Sequence, residues 1–296
     1  MTLSATAWPP LPYEAWRESK ATLHMFTQVL GKLRLARSPV EPEWQHVPLY
    51  VTASGLTTGP VPASDRSFEA AVDLLGHRFT VRTSTGDVVG FGLVGCSVAR
   101  FYEQVLEALD HVDVRAEINP KPQEVPDPIP FPEDDRAGYD PVWVPRFHVA
   151  LTSVERVLQR FRASFRGRHT RVQFFWGTFD LNYVRFSGRP ATPAPGAGVI
   201  SRPSMDAEQF FCGFWPGDER KPEPAFFAYA YPHPDGLEDA SVEPGAWDPA
   251  MGEHILVYEA VRLRDDGEEQ LLGFLERAYQ SVAQRASWPP ELTASS

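Results

Sequence analysis

Between residues 13 and 36, Trp16, Leu23, Phe26, Leu30 and Leu33 recur near a 3.6-residue period, which predicts a helix with that stripe against a core. Lys20, His24, Gln28 and Lys32 stand four apart and form a second, polar stripe on the same helix. Such a stripe is usually a solvated face; a His and a Gln one turn apart, flanked by Met25, can also look into a cavity. Strand patterns follow at 46–54, 68–75, 78–84 and 88–94, and GLTTGPVP after the first of them reads as a loop. Ser97 then caps a helix to about residue 112, with Val98, Phe101, Val105, Leu106 and Leu109 inward.

Residues 119–141 are proline-dense and acidic, which excludes a helix or a central strand and predicts an extended strap held down by Phe131 and Tyr139. Beyond it the pattern recurs: a helix over 144–166, strands at 171–186, 208–215, 224–231 and 254–262, and a last helix over 268–286. The fold class expected is therefore α+β, as two pseudo-repeated helix–four-strand–helix units with mainly antiparallel sheets. The expected divisions are 1–118, the strap 119–141 and 142–296, with both halves packed as one globular unit.

The densest apolar run is RVQFFWGTFDLNYVRFSGRP, residues 171–190. Read as one strand, it puts Val172, Phe174, Trp176, Thr178 and Asp180 on one face and Phe175, Phe179, Tyr183 and Arg185 on the other. A carboxylate in phase with aromatic residues is either pinned by Arg185 or Arg189 or lines a polar recess, and Gly177 would permit a bulge that re-aims it.

A net charge of -11 argues against a nucleic-acid backbone or an anionic membrane surface as partner. No run is long and apolar enough to span a bilayer, and no signal-peptide pattern opens the chain. Cys96 and Cys212 stand alone in apolar settings, which suits reduced thiols and a cytoplasmic location and does not suggest a zinc site. Signatures such as GxSxG, HExxH, a P-loop or GxGxxG are absent, so neither a catalytic set nor a cofactor is indicated. A metal site from separate strands would have to combine His233 with Glu208 and Glu253. Glu253 and Glu259, alternating with Ile255 and Val257, read as solvated strand-end carboxylates.

Two function classes follow. One is a small-molecule pocket in the C-terminal half, floored by Trp176, Phe211, Trp215, Tyr229 and Tyr231. Its polar candidates are Asp180, Arg185, Arg189, Glu208 and His233, with His24 and Gln28 contributed by the first helix. The other is a structural or partner-binding module whose aromatic residues are core; an exposed apolar patch would favour it, and an open cavity beside Asp180 the first.

The strings LHMFTQVLGKLRLA (23–36), HVPLYVTASGLTT (46–58), FFWGTFDL (174–181), RFSGRP (185–190), GFWPG (213–217) and AYAYP (228–232) resemble a bacterial family known only as a domain of unknown function. The resemblance runs over about residues 8–288 and implies a soluble stand-alone protein with no established activity. The family pattern carries Ser-His-Glu, Pro-Glu-Pro and Asn-His-Trp-Trp where this chain has Asp206-Ala207-Glu208, Pro232-His233-Pro234 and Pro42-Glu43-Trp44-Gln45. A polar turn at 216–222 predicts a hairpin with 207 and 233 on one face, so the departures suggest an imidazole moved across a shared site.

Overall fold

A computed structural model describes residues 7–293. The first half comprises α1 (Tyr13–Arg37), β1 (Tyr50–Val51), β2 (Gly55–Thr57), β3 (Val61–Ala63), β4 (Arg66–Asp73), β5 (Arg78–Thr83), β6 (Val88–Gly92) and α2 (Val98–His111). The second comprises α3 (Trp143–Ala163), β7 (Gln173–Phe175), β8 (Asp180–Pro190), α4 (Ser201–Ser204), β9 (Ala207–Trp215), β10 (Ala225–Tyr231), β11 (Ala246–Asp248), β12 (Glu253–Val257), α5 (Tyr258–Arg262), α6 (Gly267–Arg285) and α7 (Pro290–Thr293). The class is α+β, with two antiparallel sheets of six strands each.

Both sheets step outward from a shared seam, in chain order except for β3 and for the exchanged β12 and β11. The first follows β1-β2-β4-β5-β6, with β3 on the edge of β4; the second follows β7-β8-β9-β10-β12-β11. At the seam Leu49 and Phe174 exchange both backbone hydrogen bonds, at 2.9 and 2.8 Å, so the sheets meet edge to edge. This pairing also closes two strand edges that would otherwise stand open.

Several expected boundaries shift for local reasons. GLTTGPVP is not a loop: Gly55–Thr57 and Val61–Ala63 each pair with β4, giving two strands more than the pattern shows. The stretch 171–186 is a hairpin and not one strand, because the chain reverses between Phe175 and Asp180 with Phe179 at φ 61°. Residues 258–262 are helical; the strand ends at Val257, and the buried Tyr258 donates its hydroxyl to Pro9 O at 2.8 Å.

The polar stripe of α1 is not solvated. Lys20, Gln28 and Lys32 are buried along with the apolar stripe, and the two ammonium groups lie over aromatic rings, Lys20 on Phe179 and Tyr13 and Lys32 on Trp176. Burial lowers both lysines to about 8. Trp176 packs directly on the backbone of Gly31, where an added Cβ would lie 2.0 Å from the indole. Its Nε1 donates to Val47 O at 3.0 Å.

The 119–141 strap crosses this helix. Phe131 and Tyr139 are buried, and Gln28 holds the backbone of Gln123 on both sides, donating to its carbonyl at 2.7 Å and accepting from its N–H at 3.1 Å. One face of the second sheet packs against α3 and α6 through Tyr183, Phe210, Phe214 and Phe226. Its opposite face remains for other use.

Candidate functional site

That opposite face floors a cavity of about 430 Å³, inside the range of small-molecule sites. Strand register decides which side chains reach it. Asn182 is paired with Gly213 and Val184 with Phe211, while Tyr229 is paired with Phe211 in turn, so these positions share one face. The aromatic floor is Phe175, Phe186, Phe211, Trp215, Phe227 and Tyr229. Phe211 and Tyr229 stack with centroids 4.6 Å apart and planes 10° from parallel. Lys20 and His24 from α1, Glu124 from the strap, and Glu43 and Trp44 before β1 form the walls.

The polar groups form one directional chain. Asp180 is 8% exposed; its Oδ1 accepts from the Thr178 hydroxyl and its Oδ2 from Asn182 Nδ2 at 2.8 Å. A carboxylate accepts, so Asn182 turns its amide nitrogen to Asp180 and its Oδ1 to Gln173, whose Nε2 donates at 3.2 Å. Gln173 is only 1% exposed, and this order leaves its Oε1 buried without a partner. A buried acceptor without a donor is destabilising.

Around this chain the field is negative. Burial raises the Asp180 carboxyl above its usual range. Burial, then the charge of Asp180, raises Glu124; burial, then Asp180 and Asp248, raises Glu253 to about 7. Tyr229 is pushed well above its usual value by burial, Glu253 and Asp180. Among the described residues, neither Glu124 nor Glu253 has a side-chain hydrogen bond or ion pair. His24 Nε2 lies 2.8 Å from Trp176 O and 3.0 Å from Gly177 O. Two carbonyls require Nε2 to carry the proton, so Nδ1 is the acceptor. Burial, with Lys20 nearby, lowers this imidazole to about 3, so it stays neutral.

Backbone strain gathers at the same place. Of eight non-glycine residues with positive φ among those described, Glu43, Trp44 and Glu124 line the cavity and Phe179 and Asp127 stand beside lining residues. Glu124 at φ 56° presses its carboxylate onto Gly177, where a Cβ would lie 2.1 Å from Oε2. A side chain at 177 would have to displace that carboxylate.

The sequence candidates divide. His24, Asp180, Trp215 and Tyr229 line the cavity, and Gln28 stands behind it, anchoring the strap. Trp176 belongs to the core against Gly31. Asp180 has no arginine partner: Arg185 is five residues along β8, on the other face, enclosed by Phe161, Phe165 and Tyr279 with its guanidinium on Phe161 O. Arg189 instead holds Glu208 at 2.7 Å and the carbonyl of Ala286 at the end of α6.

Glu208, Tyr231 and His233 line a separate cavity of about 300 Å³, where His233 meets Glu238 at 3.2 Å. Because Glu253 lies in the larger cavity, the metal set His233–Glu208–Glu253 is not assembled, and no cluster able to hold a metal occurs among the described residues. The hairpin of β9 and β10 forms with Gln209 opposite Tyr231, a register whose continuation sets 207 against 233 as expected; Ala207 lines neither cavity. Glu253 is not solvated as alternation suggested, and Glu259 lies on α5, paired with Arg262.

Gln173, Asn182 and Glu124 are site residues that sequence patterns did not select, while Lys20 was marked only by the polar stripe and Glu253 only as a metal alternative and strand-end carboxylate. Asn182 and Gln173 were readable once 171–186 is split into a hairpin, since both then fall in phase with Asp180. Glu124, in an aperiodic proline-rich segment, had no such signal.

None of the described helices is long and apolar enough to cross a membrane. Comparison with curated proteins and with solved structures returns no match. One family model does match, described as a family of unknown function (DUF5996), and it takes in the strap, both sheets and every residue of the cavity. Matched over residues 8–295, the chain belongs to that family.

Proposed function

We propose that the protein binds, or binds and transforms, a small organic molecule in the cavity over its second sheet. The observation that carries this reading is the cavity itself: an open recess beside Asp180, floored by six aromatic residues of which only Phe175 also packs against the main core. Packing alone would favour filling such a space, since a void forfeits dispersion contacts along its lining. Strained backbone at Glu43, Trp44 and Glu124 and unpaired carboxylates at Glu124 and Glu253 support the reading, because both are destabilising unless the site is used. The alternative, a structural module, has the Arg185 box and the α3–α6 face in its favour, but these lie on the other side of the sheet.

The test is a thermal-shift screen of small heteroaromatic compounds on the native chain and on Ser204→Trp, which places an indole in the cavity wall. Compounds should stabilise the native chain and lose that effect in the variant. Equal shifts in both proteins would show that binding occurs elsewhere and overturn the reading.

A further inference from the structure

We infer that the ligand is an organic amine with a flat apolar body, its ammonium facing Asp180 and Glu253 and its ring lying on Phe211, Phe227 and Tyr229. This deepens the proposed function and rests on the cavity being a ligand site. Three observations converge on a donor-bearing cation. The inner wall is rich in acceptors: Asp180 receives two hydrogen bonds, while Glu253 and Glu124 receive none among the described residues. Gln173, which lines the same wall and is 1% exposed, is held with its Oε1 unpartnered because the amide chain must end on Asp180. The ring floor presents π-faces, which attract a cation and bury a flat body.

No basic side chain opposes this wall. The carboxyls of Glu124 and Glu253 are influenced by Asp180 and Asp248, all negative. Lys20 and Arg220 also line the cavity, but the acidic neighbours of Lys20 are Asp218 and Glu219, in the loop that carries Arg220. Lys20 is 8% exposed and has no hydrogen-bond partner among the described residues, so its ammonium is free for an acceptor at the other end of the ligand. The cavity therefore has an uncompensated acidic wall at Asp180, Glu124 and Glu253, while Arg220, elsewhere on the lining, is paired with Asp218 at 2.9 Å.

Tryptamine, indole and indole-3-propionate share one ring and differ in charge, so they separate the ring from the amine. Each is titrated by calorimetry at pH 8 into the native protein, Glu253→Gln, Asp180→Asn and Lys20→Met. Tryptamine should bind the native chain about tenfold or more tightly than indole or indole-3-propionate. Glu253→Gln, which removes no hydrogen bond of the fold, should erase that preference while indole binding persists. Lys20→Met should keep it. Indole or indole-3-propionate binding as tightly as tryptamine, or a preference untouched in both carboxylate variants, would overturn the inference and leave the cavity reading intact. If none of the three binds at millimolar concentration, the amine inference is overturned, and the thermal-shift screen with Ser204→Trp decides the cavity reading separately.

Discussion

Glu253→Gln should stabilise the protein at alkaline pH and leave it nearly unchanged in acid. The Glu253 carboxyl is raised from 4.5 to about 7 by burial and by Asp180 and Asp248, and its side chain has no hydrogen bond to lose. A carboxyl that holds its proton longer in the folded state contributes stability fully below about pH 4.5; that contribution is lost as pH rises through about 7. At about 1.4 kcal/mol per pH unit, the interval corresponds to about 3 kcal/mol at pH 8. Glutamine keeps the shape and cannot ionise, so the variant should exceed the native chain by about that amount at pH 8 and by only about 1 kcal/mol at pH 5. Urea unfolding at both pH values reads the difference directly, and melting should rise by about 6 °C at pH 8, taking roughly 2 °C per kcal/mol. Equal or lower stability of the variant at pH 8 would mean that Glu253 is solvated or paired, and would remove the negative field on which the ligand inference rests.

His24 works in the opposite sense: with its imidazole lowered from 6.5 to about 3, its contribution is present above pH 6.5 and lost as pH falls towards 3. His24→Gln should therefore flatten the stability profile over pH 6 to 4, measured by urea unfolding; an unchanged slope there would place the ring in water. Gly31→Ala puts a methyl into the Trp176 indole and should lower stability by about 1–3 kcal/mol through overpacking, with quenched or shifted tryptophan emission as a second readout. Arg189→Ala removes the pair with Glu208 and the hold on Ala286 O, which should reduce stability by about 1–2 kcal/mol and leave tryptamine binding untouched. Loss of binding in that variant would place the ligand in the smaller cavity.

Much of the fold was legible because periodic patterns survive burial on one face. Trp16, Leu23, Phe26, Leu30 and Leu33 mark α1, and the alternating residues of β9 and β10 mark two strands whose faces serve different purposes. What pattern could not show was the reversal at Gly177–Phe179. Counting through it put Asp180 in phase with Phe174; the turn pairs Asp180 with Phe175 instead and moves it from the core face to the cavity. The stripe Lys20–His24–Gln28–Lys32 was visible, but its burial depends on contacts to the strap and to Trp176 that span 95 or more residues of sequence. Glu124 is placed by tertiary structure alone.

We propose that the two halves are copies of one unit, on the ground that the first strands of both sheets step outward from the seam where Leu49 meets Phe174, although β3 and the β12–β11 end depart from that order. Superposing residues 13–111 on 143–285 tests it: the main strand paths should coincide, and a mismatch in strand direction would end the idea.

The central claim, that the face carrying Asp180, Phe211, Tyr229 and Glu253 is a ligand site, is tested most directly by soaking crystals with a library of small organic fragments and mapping where they bind. Fragments should collect in the cavity over the second sheet, rings on Phe211 and Tyr229, with amines nearest Asp180 and Glu253. Fragments that gather elsewhere while this cavity stays filled by ordered water would contradict it.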